Sequence, residues 1–155
     1  TQSPLLRNIN DHSSIWAEMW RKQVDLGCIP YYMFIARDTG SKAFFEVPLD
    51  KAWELFRKAY ASVSGICRTV RGPSMSANPG KVVITGVREI KGEKFFVLNF
   101  IQCRNPELVG LPFFAKYDPK ATWLDHLKPA FGEKEFFYER DNILGDYFDN
   151  RELWE

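Results

Sequence analysis

The chain has 155 residues, 45% hydrophobic and 26% charged, with a formal net charge of +1. That is ordinary globular usage, long enough for one domain with a real core. The balanced charge gives no general pull toward nucleic acid or acidic lipid, no apolar run is long enough to cross a bilayer, and no signal peptide is visible.

The chain opens "TQSPLLRNIND" without an initiator methionine, and it reads as a piece of a longer protein, with a processed start as the alternative. Leu5 to Asn10 predicts a short strand. Asp11, His12, Ser13 and Ser14 open a helix, with Asp11, Ser13 or Ser14 as the N-cap. Ile15, Trp16, Met19, Trp20 and Val24 recur at helical spacing, and Gly27 suits the left-handed residue that closes a helix. "IPYYMFIA", Ile29 to Ala36, is apolar on both alternations, as a strand covered on both faces would be. "RDTGSKAFFE" reads as a loop with a short extended piece. Pro48 starts a second helix with Leu49, Trp53, Phe56 and Tyr60 as its buried stripe and Gly65 as its stop.

Strand, helix, strand, helix is the order of a parallel α/β sheet or barrel. In such folds functional residues follow the carboxyl ends of strands, where Asp11, Arg37 and Asp38 stand. The pattern changes at Lys81, so the chain divides into an α/β part, 1–80, and a β-rich part, 81–155. Two apolar strands flank the turn signal Lys91-Gly92. A strand, a short helix near Lys120 to Leu127 and another extended piece follow. The tail from Glu133 carries eight acids against three bases, with Phe136, Phe137, Tyr147, Phe148 and Trp154 available to dock it.

Few residues are candidates for chemistry. Asp11 can cap a helix, bind a cationic group, or do both. "SANPGK" is a small-residue loop ending at Lys81. Gly80 lets the backbone approach a ligand, successive amides can form an anion nest, and a partly desolvated lysine can form a Schiff base. The alternative is an ordinary turn with a solvated lysine. Arg68 and Arg71 are open between surface residues and anion ligands. His12 and His126 have no metal spacing. The paired aromatics Tyr31-Tyr32, Phe95-Phe96, Phe113-Phe114 and Phe136-Phe137 read as core or interface. Cys28, Cys67 and Cys103 are too few and too far apart for a self-contained zinc or iron–sulfur site. Reduced thiols in a cytoplasmic protein are expected.

"SPLLRNIND", "IPYYMF" followed by "VP", "VSGIC", and the glycine-lysine loop together resemble the later part of lysine 2,3-aminomutase and its relatives. These are radical S-adenosylmethionine isomerases that also use pyridoxal phosphate. The clear resemblance covers Thr1 to about Val83. It implies the last βα units of a partial radical barrel, followed by a β-rich appendage, α+β overall as an isolated piece. It implies that Lys81, after Gly80, holds pyridoxal phosphate as an internal aldimine, and that Asp11 in "LLRNIND" helps hold a substrate ammonium. The family's second aspartate, seven residues before the cofactor lysine, is Ser74 here, so the substrate stays open. The family's C-x-x-x-C-x-x-C motif is absent. The resemblance therefore places the S-adenosylmethionine site and the four-iron cluster in an upstream part of the longer protein, and this chain alone is expected to be inactive.

The partners expected are an amino-acid substrate in the full-length enzyme, the upstream barrel part of the same protein, and, as an open arrangement, further copies of the chain. Neither nucleic acid nor membrane is expected. A second reading stays open: a non-catalytic module for assembly or partner binding, with Lys81 solvated.

Overall fold

A computed structural model describes residues 1–37 and 40–140. Among the described residues the chain is mixed α/β, with six strands and few helices. The described residues form two compact units, Thr1–Met75 with Asp118–His126, and Ser76–Tyr117 with the described residues that follow His126.

In the first unit, β1 (Gln2–Leu5), β2 (Tyr32–Ile35) and β3 (Arg71–Ser76) lie parallel in that order. Helix α1 (Ser13–Asp25) links the first two strands; the single turn α2 (Lys42–Phe45) and α3 (Leu49–Ala61) precede the third. This is the parallel α/β order the sequence predicts. Strand β2 buries Tyr32, Met33 and Ile35, so both of its faces are covered, as its unbroken apolar run requires. Helix α1 buries Trp16, Ala17 and Trp20, and α3 buries Leu49, Ala52, Leu55, Phe56 and Ala59. These spacings put one apolar stripe on each helix. The stripes meet at Trp20, whose ring centroid lies 5.9 Å from Trp16 and 5.8 Å from Phe56. Gly27, at φ +75°, follows α1 in the left-handed conformation expected of it.

Three expectations need correction here. The first strand is Gln2–Leu5, because the chain turns at Leu6–Asn10, with Asn8 at φ +64°. The piece after β2 contains one helical turn, α2, in place of an extended piece; Asp38 lies outside the described residues. Helix α3 ends at Ala61, ahead of Gly65, which instead begins a 3-10 turn, Gly65–Cys67. Ser62 is the C-cap of α3, and Arg68 reaches back to the carbonyls at this end. Its guanidinium donates to the carbonyls of Tyr60 at 3.0 Å, Val63 at 2.9 Å and Ala61 at 3.4 Å, satisfying acceptors that the helix end leaves open. The sequence leaves Arg68 open between a surface residue and an anion ligand; here it is exposed, with its guanidinium engaged by backbone carbonyls.

In the second unit, β4 (Gly80–Ile90), β5 (Glu93–Cys103) and β6 (Pro112–Lys116) pair antiparallel. Lys91 and Gly92 both have positive φ, +51° and +84°, the pair that a tight hairpin turn needs. The aromatics do form core. Phe136 and Tyr138 are buried and pack on Phe113, with centroids at 5.6 and 5.5 Å. The docking expected of Phe136 and Phe137 is present, while Tyr147, Phe148 and Trp154 lie outside the described residues. The helix expected near Lys120 to Leu127 is only a 3-10 turn, Leu124–His126, which belongs to the first unit. The extended piece expected after it is instead turns, with a 3-10 turn at Phe137–Glu139. Pro119 and Pro129 bound this stretch.

Strands β2 and β3 depend on one missing side chain. A Cβ on Gly72 would lie 2.7 Å from the Met33 carbonyl oxygen and 2.9 Å from the Met33 Cβ. Both obstacles sit on the neighbouring strand and cannot swing away. Gly72→Ala should therefore cost about 1–3 kcal/mol, the usual range for forced overpacking, and lower the midpoint of chemical denaturation. A variant as stable as the parent would show that β2 and β3 can separate freely.

Candidate functional site

The turn between β1 and α1 is built by Asn10. Its side-chain oxygen accepts from the Leu6 amide at 2.7 Å, and its side-chain nitrogen donates to the Pro4 carbonyl at 3.0 Å. Its own carbonyl accepts from the Trp16 indole at 2.6 Å. One residue thus ties the end of β1 to the first turn of α1. Arg7 ties the same turn to α2: its amide donates to the Phe45 carbonyl at 2.8 Å, and its guanidinium donates to the carbonyls of Phe44, at 3.0 Å, and Ala43. Those two residues were passed over in the sequence. The signal was there in Asn, a residue that commonly bonds nearby backbone in turns.

Asp11 comes next and is half-buried. The N-cap of α1 is His12, in extended conformation and with no side-chain capping bond, so the expectation that Asp11, Ser13 or Ser14 caps this helix is corrected. Among the described residues the Asp11 carboxylate has no hydrogen-bond or ion-pair partner. It lines an open cavity of about 380 Å³, together with His12 and Ser13 and, from α3, Lys51, Glu54 and Lys58. Glu54 lies 2.7 Å from Lys58 and 3.6 Å from Lys51. The Lys58 hydrogen bond, then the charges of Lys58 and Lys51, hold the Glu54 carboxyl below the usual carboxylate range. The two lysines are thus answered from their own helix, and Asp11 is the carboxylate left open. A carboxylate so placed suits an organic cation.

Ser74 is fully buried in β3, with its hydroxyl donating to the Met33 carbonyl at 3.2 Å. It does not line the cavity at Asp11. Arg37 is exposed after β2, and Arg71 stacks over the Tyr31 ring at 5.6 Å. His126 has a structural role: its Nδ1 accepts from the Thr122 amide at 3.2 Å, while the buried Thr122 hydroxyl donates to Glu46 at 2.9 Å. Among the described residues no three His, Cys, Asp or Glu side chains form a metal-binding group.

Lys81 stands in the second unit as the second residue of β4, half-buried and opposite Gln102 on β5. The turn before it is closed on itself. The Ala77 amide donates to the Gly80 carbonyl at 2.7 Å, and the Gly80 amide donates to the Ala77 carbonyl at 3.1 Å.

Comparison with known proteins points one way. No protein-family model matches the chain. It is similar to a protein of Aquifex aeolicus strain VF5 named "Putative L-lysine 2,3-aminomutase", with 29% identity over 124 residues, 80% of this chain and 32% of that protein. It is also similar to the L-lysine 2,3-aminomutase of Escherichia coli strain K12, with 30% identity over 80 residues, 52% of this chain and 23% of that protein. A second Aquifex protein of the same name is 26% identical over 101 residues. The chain is thus related to lysine 2,3-aminomutases, and it spans about a third or less of the length of the curated relatives it matches.

Asn10 and Asp11 should respond differently to substitution. Asn10→Ala leaves the Leu6 amide without its acceptor and should cost about 1–3 kcal/mol. Asp11→Asn removes no bond within the protein and should leave the denaturation midpoint nearly unchanged. Equal losses in the two variants would mean that Asp11 has a structural bond after all.

Proposed function

We propose that this chain is the carboxyl-terminal portion of a radical S-adenosylmethionine enzyme that moves an amino group between adjacent carbons of an amino acid, with pyridoxal phosphate as a second cofactor. The observation that carries this reading is the similarity to lysine 2,3-aminomutases along 80% of the chain. Three parallel strands with helical crossovers agree with the last βα units of a barrel, where loops after strand ends carry the chemistry. On this reading the cysteines for the iron–sulfur cluster and the S-adenosylmethionine site belong to another part of the full-length protein, and the chain alone does not turn over.

Two residues have roles in this reading. Asp11 offers its open carboxylate to a cationic group of the substrate and positions it. Lys81 is the covalent anchor of pyridoxal phosphate; its place at the start of β4 and its partial burial suit an amine held at the edge of a packed strand. Pyridoxal phosphate supplies the electron-accepting ring that amino migration draws on. Lys81 fits the amine that this cofactor needs, but the turn before it does not fit the phosphate, because its amides are committed to each other. Ser74 brings no charge to the substrate, so the amino acid acted on need not be lysine.

One observation favours a second reading, in which the chain is an assembly or partner-binding module: the closed turn before Lys81 needs no ligand to explain it. One experiment separates the two. The full-length protein is incubated with pyridoxal phosphate, reduced with borohydride and digested, and its peptides are mapped by mass. The label should sit on Lys81 and vanish in Lys81→Ala. Label on another lysine, or none, would move the assignment to the module.

A further inference from the structure

The turn at Ala77 to Gly80 has the composition of an anion cradle, and its bonds are those of something else. Its Ala77 and Gly80 amides are bound to each other's carbonyls at 2.7 and 3.1 Å. Residue 79 is a buried proline and has no N–H to give. The Pro79 carbonyl is taken in turn by the Arg104 amide at 2.8 Å. Of the four residues, only Asn78 keeps an amide outside this pattern. An anion nest needs successive amides converging on one point, and one amide does not make it.

Gly80 has its own reason to be glycine. A Cβ there would lie 2.0 Å from the Gln102 carbonyl oxygen and 2.7 Å from the Cys103 Cα. Both belong to the backbone of β5, the partner of β4 in this register. The space a side chain would fill is occupied by the neighbouring strand, so it is not open to a ligand.

We infer that the Ala77–Gly80 turn is a spacer that seats β4 against β5 and takes no phosphate, so that a phosphate-bearing partner of Lys81 has its phosphate held by residues outside this turn. The relevance of this inference to catalysis rests on the reading of Lys81 as the cofactor lysine, and the experiment keeps the two apart. In the full-length protein, Asn78→Asp sets a carboxylate beside the one amide the turn leaves over. Affinities for pyridoxal phosphate and for pyridoxal, which lacks the phosphate, are measured on the parent and the variant. Their ratio should change less than twofold. A tenfold loss for pyridoxal phosphate alone would overturn the inference.

Inorganic phosphate gives a second readout that needs no cofactor. The backbone amide resonances of Ala77, Asn78 and Gly80 should stay in place as phosphate is added, and their saturable movement would overturn the inference. Borohydride label on another lysine with unmoved turn amides would remove the role of Lys81 and leave the spacer standing. Gly80→Ala should lower the melting temperature by several degrees with either ligand absent; a variant of full stability would also count against the spacer.

Discussion

The hydrogen bonds of Asn10 decide what the first unit can present at the end of β1. Without them the Leu6 amide would be left without an acceptor at a partly buried position, and that loss is costly in a way that an exposed turn would not be. With them, the chain reverses within five residues and enters α1 with the Trp16 indole tied to the Asn10 carbonyl. Trp16 then meets Trp20, and Trp20 meets Phe56 of α3. The same residue that turns the backbone therefore helps set where both helices lie. Asp11 follows directly, so its position comes from the turn while its carboxylate stays uncommitted.

A different constraint governs the strand seams. At Gly72 and at Gly80 the neighbouring backbone comes so near that no Cβ can be accommodated. Gly80, beside Lys81, invites a reading in terms of ligands, because a bare backbone also suits close approach by a phosphate. Here the approaching group is another strand in each case. The distinction lies in what fills the space above the Cα, and sequence carries no direct record of that.

Much of the architecture was legible in the residues. The doubly apolar run of β2, the existence of α1 and α3 and the Lys91-Gly92 turn each follow from periodicity or from a conformational need of the local residues. Of the expected helix stripes, only Trp16, Trp20, Leu49 and Phe56 are buried, while Met19, Val24, Trp53 and Tyr60 are half-buried and Ile15 is exposed. What escaped was set by side chains reaching back to backbone. Asn10 shortened the expected first strand, and α3 has its C-cap at Ser62, with Arg68 reaching back to the carbonyls there, ahead of the glycine expected to stop it. Such bonds join residues four to eight positions apart in no fixed spacing, so they leave no periodic trace. Asp11 was legible as a candidate from its place after a strand, whereas its freedom from capping was not, since aspartate so often caps. The aromatic pairs read as core or interface; Tyr32, Phe95, Phe96, Phe113 and Phe136 are buried, Phe114 and Phe137 are half-buried, and Tyr31 is exposed.

These features give the relationship to lysine 2,3-aminomutases a physical content. A parallel three-strand unit holds an uncommitted carboxylate at a cavity, and a separate antiparallel unit begins with a half-buried lysine. On the proposed reading these two residues serve one amino-migrating enzyme. The most direct measurement is made on the full-length protein, reconstituted anaerobically with iron, sulfide, S-adenosylmethionine and pyridoxal phosphate, and offered a panel of amino acids under nuclear magnetic resonance. The account predicts that at least one of them is converted to the isomer with its amino group on the adjacent carbon. A protein that holds its cluster and cleaves S-adenosylmethionine, yet yields no such isomer from any amino acid in the panel, would contradict it.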